Sequence, residues 1–330
     1  MVTDESLGEL AQLQKLSALR MNGCDQISVA GLAHVASMRS LEKLKWRMPR
    51  DVPAMEHDMS EGITGLSANL GRLTHLQLSI GAKVAAEAVA SLARLTCLQD
   101  LRLHCSCRMD DESLQALGGL PRLTRFTVHA FERTLSTESL QHLTRLQYLH
   151  MLDVDALGEG VGKLHRLQVL NLTDCKGLTD VLLLSLSGLD QLEHLSLSSC
   201  PGLDGHKLCV LGPNLPALRA LDLSFCNNLY SSALPYAISK FPALTHLNLS
   251  LCRSLREDVA LELSGSEQLQ VLNISNSGLN HGSMSALLDT GCWSTDDGLD
   301  GPSMSSQRCK VIQRRPEPDS LKPWSITDRR

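Results

Sequence analysis

The chain has 330 residues with a hydrophobic share of 43%, enough for a sizeable core, but an aromatic share of only 3%. A core built almost without Phe, Tyr and Trp must fill space another way, and stacked layers of Leu do so, which directs attention to internal repeats. The net charge of -5 and pI near 6.2 give no case for nucleic acid or an anionic membrane as partner. No apolar run approaches the roughly 18 residues of a membrane span.

Met1 to Leu10 carries Asp4, Glu5 and Glu9 and lacks the basic start of a secretory signal. The expected compartment is therefore reducing, the cytoplasm, with the nucleus as the alternative. Eleven cysteines, an odd number, include no CxxC pair. Cys105 and Cys107 form the only close pair, so buried structural thiols are expected rather than a disulfide framework.

Along the chain a short pattern, L-x-x-L-x-L, recurs. It opens at Leu16, Leu19 and Met21, and returns with first residues at Leu41, Leu73, Leu98, Leu123, Leu146, Leu167, Leu192, Leu218, Leu244 and Leu269. Subtracting each of these positions from the next shows a nearly constant step. With one exception, between Leu41 and Leu73, the steps fall within the roughly 20–29 residues of one short strand-and-return unit. The last two apolar residues of each copy lie two apart and share one face of a short strand, while the residue between them faces the other way. Three residues later five copies place Cys: Cys24, Cys175, Cys200, Cys226 and Cys252. A small apolar side chain with a weak S–H donor suits a tight inward turn. Next come helix-starting residues, Ser28, Asp110–Asp111 and Thr179–Asp180, ahead of apolar residues at helical spacing such as Leu32 and Val35, Leu114 and Leu117, or Leu183 and Leu186. Each unit reads as strand, turn, helix and return. None buries its own Leu face, so the expected fold is an α/β solenoid of about eleven repeats, a horseshoe with a parallel sheet on its concave side and helices on its convex side.

The repeats are expected to fill residues 1–290, starting in mid-repeat, because Thr3–Asp4 with Leu7, Leu10 and Leu13 reads as the helical half of a unit. The long step between Leu41 and Leu73 holds an insertion, about Pro49 to Gly62, with Met55, His57 and Met59, expected to loop out at the helix side or a rim. From Gly291 to Arg330 the Leu ladder is gone. This segment, including the basic stretch Lys310 to Arg315, is expected to be a solvated, disordered tail.

The units from Leu167 to Asp180 and from Met21 to Leu32 resemble the cysteine-containing class of leucine-rich repeats. The resemblance spans about Thr3 to Leu288. It implies the solenoid fold and a role like that of the repeat part of F-box proteins, the substrate-recognition subunits of SCF-type ubiquitin ligases. An F-box would need several tens of residues ahead of Leu16, so docking on a ligase adaptor is expected only through a further N-terminal module. Two alternatives are a scaffold or inhibitor of the ribonuclease-inhibitor kind, whose repeats are longer and alternate in length, and a fragment of an immune-type sensor.

The strand residues opposite the buried Leu define the candidate protein-binding face. Its first half carries Arg20, Lys43, Lys45, Arg47, His75, Arg102, His104, Arg125, His129, Tyr148 and His150, with Asp100 the one acidic residue. Its second half carries mostly Asn, Ser, Thr and His, with Asp222. The expectation is a basic stripe that docks an acidic or phosphorylated segment of a partner protein. His104 and His129 with Cys105 and Cys107 raise the question of a zinc site, and chance clustering in a His- and Cys-rich chain is the favoured reading. No G-x-x-x-x-G-K-[ST], G-x-S-x-G or H-E-x-x-H motif occurs, and cysteines at core positions make inert thiols. The chain is read as a binding module, not an enzyme, without metal or cofactor.

Overall fold

The computed structural model describes residues 2–24, 26–47, 58–107, 109–130, 137–152, 159–264, 266, 268–278, 293–295 and 309–312. Each of the eleven Leu patterns forms one strand. These are β1 (Ala18–Asn22), β2 (Lys43–Arg47), β3 (His75–Val84), β4 (Asp100–Cys107), β5 (Arg125–Ala130), β6 (Tyr148–Leu152), β7 (Val169–Asn171), β8 (His194–Ser196), β9 (Ala220–Asp222), β10 (His246–Asn248) and β11 (Val271–Asn273). Consecutive strands pair in parallel in one open sheet. Register follows the repeat: Leu44 faces Leu76, Leu76 faces Leu101, and Leu195 faces Leu221.

The ladder residues are the core. Leu73, Leu98, Leu167, Leu192, Leu218, Leu244 and Leu269 are all fully buried. Burying one such side chain stabilises by about 1.5–3 kcal/mol. Where Trp46 replaces the last Leu, its indole N–H is buried too and donates to the Cys24 carbonyl at 3.2 Å, which removes the penalty of an unsatisfied donor.

Return elements line the other side of the core: α1 (Asp4–Leu10), α2 (Val29–Ser37), α3 (Ser60–Asn69), α4 (Ala86–Ser91), α5 (Asp111–Gly118), α6 (Asp180–Leu183), α7 (Leu208–Leu211), α8 (Leu234–Ile238) and α9 (Glu257–Ser264). Two of the three helix-start signals act as caps. Ser28 caps α2 through the Ala30 N–H, and Asp110 caps α5 in a reciprocal pair with Ser113. Thr179 stands at the start of α6 with extended backbone and makes no side-chain cap. In the two shortest steps, from Leu123 to Leu146 and from Leu146 to Leu167, the described part of the return holds a 3-10 turn, Thr137–His142 or Glu159–Lys163. No helix among the described residues is long and apolar enough to cross a membrane.

Two expectations change. The insertion is shorter than residues 49–62: Asp58 bridges Lys83, Met59 is fully buried, and Ser60 to Gly62 begin α3, with Gly62 set against Leu32. A Cβ at Gly62 would meet Leu32 Cδ1 at 2.5 Å. Pro49, Met55 and His57 lie outside the described residues. In the segment expected to lack structure, Trp293–Thr295 (β12) and Cys309–Ile312 (β13) extend the sheet in the order β11, β13, β12. Of the basic stretch, residues 313–315 lie outside the described residues.

Candidate functional site

The register turns the concave face into three rows that run across the strands. The row nearest the strand entrances reads Ala18, Lys43, His75, Asp100, Arg125 and Tyr148. The middle row reads Arg20, Lys45, Gln77, Arg102, Thr127 and His150, and the exit row Asn22, Arg47, Ser79, His104, His129 and Leu152. All eleven residues singled out from the sequence therefore lie on this one surface.

Their charges do not form one stripe. On β1 and β2, Arg20, Lys43 and Arg47 are exposed and Lys45 is half-buried. Among the described residues no carboxylate lies within ion-pair distance of Arg20, Lys43 or Arg47. Further along, Asp100 organises a compact network. Its carboxylate accepts from Arg102 Nη2 at 2.9 Å and Nε at 3.0 Å and lies 3.8 Å from Arg125 Nε. The Arg125 guanidinium lies 4.6 Å over the Tyr148 ring. The single Asp100 carboxylate thus answers one of the two positive charges of Arg102 and Arg125 within the fold. Glu42, next to Lys43 on β2, pairs with Arg72 at 3.2 Å.

The histidines make a third zone. The rings of His104 and His129 meet edge-on at 3.9 Å, and those of His129 and His150 lie 5.7 Å apart. Burial, with His129, His150 and the Arg47 and Arg102 guanidiniums adding to it, pushes His104 down to about 3. Burial and His129 push His150 down to about 4. His75 is also lowered, by burial first. His75, His104 and His150 are therefore neutral near pH 7, which corrects their reading as part of a basic stripe: burial beside guanidinium groups disfavours the charged ring. Among the described residues, no group of three or more His, Cys, Asp or Glu side chains is arranged to hold a metal. The side chains of Cys105 and Cys107 lie outside the described residues.

In the second half the middle row serves the fold. Asn171, Asp222, Asn248 and Asn273 each accept from the backbone N–H two residues on, at 2.9–3.1 Å. The recurrent Asn or Asp between two ladder leucines is the sequence signal for this turn device, a signal distinct from that of the outward-facing charges. The recurrent cysteines are buried, and Cys200, Cys226 and Cys252 donate S–H to a carbonyl of the preceding repeat at 3.1, 3.1 and 3.0 Å. Burial raises their pKa, to about 11 for Cys226 and beyond for the other two, which makes them poor nucleophiles.

No family model matches the sequence, and no curated protein matches it. Among solved structures, internalin InlF from Listeria monocytogenes superposes with a TM-score of 0.55 at 18% identity, over 87% of this chain and 80% of that one. TLR13, in the TLR13–ssRNA13 complex, superposes with a TM-score of 0.53 at 19% identity, over 82% of this chain and 41% of that one. At such identities the likeness concerns the fold. With a Leu ladder recurring at a nearly constant step, one parallel strand per repeat and helices on the return, the chain is a leucine-rich-repeat solenoid.

Proposed function

We propose that this chain is a non-enzymatic protein-recognition subunit whose N-terminal concave face holds an acidic or phosphorylated segment of a partner polypeptide. The observation that carries the reading is the set of three exposed cations, Arg20, Lys43 and Arg47, on two adjacent strands without a carboxylate in reach among the described residues. Strands lie about 4.8 Å apart, and like charges on adjoining strands oppose folding. An anionic partner turns that cost into charge-assisted bonds. The cysteine-containing repeat and its nearly uniform length favour a substrate-recognition or adaptor subunit of a ubiquitin-ligase complex over an inhibitor with longer alternating repeats. Such a subunit would act in the cytoplasm or nucleus.

The ion pairing decides where to test. Arg102 and Arg125 already share Asp100, so reversing them disturbs the fold as well as the face. Arg20→Glu, Lys43→Glu and Arg47→Glu combined should abolish recovery of the partners that the unaltered chain retains in quantitative affinity purification from its native cells. Recovery unchanged by the triple reversal overturns the docking reading. Recovery that is lost, but includes no ubiquitin-ligase component, removes the ligase reading and leaves the docking one.

A further inference from the structure

The concave face is not the only cationic surface. Each strand is entered through a tight turn, and in most repeats the same backbone hydrogen bond closes it. Leu16, Leu41, Leu73, Leu98, Leu146 and Leu167 each donate to the carbonyl three residues back, at 2.8–3.1 Å. Identical turns on in-register strands project their side chains along one rim. Lys15, Arg72, Arg122, Arg145 and Arg166 stand immediately before their ladder Leu, Arg39 two residues before, and Arg94 ends the 3-10 turn Leu92–Arg94 that leads into the fourth turn. All seven are exposed. The four residues ahead of each of these seven ladder leucines include no Asp or Glu. In the last four turns the pattern ends: Asp190 and Glu267 enter and Lys240 is the one base, its Nζ seated 4.3 Å over the Tyr236 ring.

A bland explanation exists, because a cation near the end of a helix is favoured by the helix dipole. That explanation applies equally to the last four repeats, whose return elements also end at these turns, so it does not account for the break after Arg166. Among the described residues, Arg72 alone of the seven is in an ion pair, with Glu42, and both partners are largely solvated. An exposed pair of this kind contributes little to stability.

We propose that this rim, from Lys15 to Arg166, is a linear docking track for an acidic polypeptide segment that lies across the strands. The proposal rests on the protein-binding reading above and extends it from the inner face to the neighbouring edge. Entrance-row Lys43 and Arg125 lie beside the rim, so one acidic segment can contact both surfaces. Seven repeats span six inter-strand steps of about 4.8 Å, roughly 29 Å, which an extended chain covers with about nine residues. Single-stranded nucleic acid binds through aromatic stacking as well as charge. The seven turns include no Phe, Tyr or Trp, which favours the polypeptide over RNA.

Fluorescence anisotropy on the full chain tests this with labelled oligoglutamate peptides of increasing length and labelled oligouridylate as probes. Affinity for oligoglutamate should rise with length up to about nine residues and weaken as salt is raised from about 0.05 to about 0.2 M. Arg122→Glu, Arg145→Glu and Arg166→Glu combined should weaken it at least about tenfold, a loss of about 1.4 kcal/mol. If circular dichroism shows that reversal to be unfolded, the triple Gln variant replaces it and should lose affinity in the same direction. Affinity unchanged in the folded rim variant, tighter binding of oligouridylate, or no peptide binding at all overturns the track. Loss confined to Arg20→Glu, Lys43→Glu and Arg47→Glu also overturns it while the concave-face reading stands. Loss confined to the rim variant supports the track and counts against the inner face.

Discussion

At the scale of single residues, the inward turn of the recurrent Cys has a backbone cause. The residue just before it adopts a left-handed conformation: Gly23 with φ 69°, Asp174 58°, Ser199 57°, Phe225 60° and Leu251 62°. This reverses the chain in one step and points the following Cys inward. Only Gly takes that conformation without a Cβ penalty of about 1–2 kcal/mol. Ser199→Gly should therefore stabilise the protein by about 0.5 kcal/mol, the backbone gain being partly offset by the more flexible unfolded chain. Ser199→Val should destabilise it by about 1–2 kcal/mol, because a branched Cβ worsens the clash. Urea unfolding midpoints that move the other way would show that the turn is not the source of strain.

At the scale of elements, repeats are joined by side chains at helix starts as well as by the sheet. Asp4, first residue of α1, accepts from the Ser28 backbone N–H at 3.0 Å, and Ser60, first residue of α3, accepts from that of Ala85 at 2.8 Å. The fullest instance is Asp180 at the start of α6. Its carboxylate accepts from the N–H groups of Asp204, Gly205 and Lys207 at 3.1, 3.1 and 2.8 Å and is buried in doing so. Removing it leaves three donors of the next repeat without this acceptor. Asp180→Ala should cost about 2–3 kcal/mol by chemical denaturation, and Asp180→Asn, which keeps one acceptor oxygen, about half as much. A loss below about 0.5 kcal/mol in the Ala variant would mean that water replaces the carboxylate. Thr179, which makes no cap, shows why this junction was only partly legible: Thr–Asp reads as one cap signal, and which of the two side chains bonds, and to which repeat, depends on the neighbour stacked beside it.

At the scale of the whole molecule, stacking creates chemistry that no single repeat has. His104, His129 and His150 belong to three different repeats and become a cluster only because β4, β5 and β6 pair in register. The pKa values of His104 and His150, about 3 and about 4, lie below the ordinary 6.5. As pH falls through 6.5 the unfolded chain takes up protons that the folded one refuses. Stability should be full above about pH 7 and fall progressively between about 6.5 and 3, by on the order of 1 kcal/mol per histidine at pH 5 after solvent screening. Unfolding of the His104→Asn and His150→Asn double variant, followed against pH, should show a flatter dependence. An unchanged slope would place the acid sensitivity elsewhere.

The amino-acid sequence by itself determined the repeat, its strand residues, its buried Leu and Cys positions, and which side chains face outward. These follow from local periodicity: alternation within the strand and a nearly constant step between strands leave one way to bury the ladder. Only the tertiary structure decided the charge state of that outward face. A list of Arg, Lys and His by position looks uniformly basic, but Asp100 reaches Arg102 on its own strand and Arg125 on the next, and burial keeps His75, His104 and His150 neutral. Pairing and desolvation depend on distances between repeats, and those distances exist only once the layers are stacked.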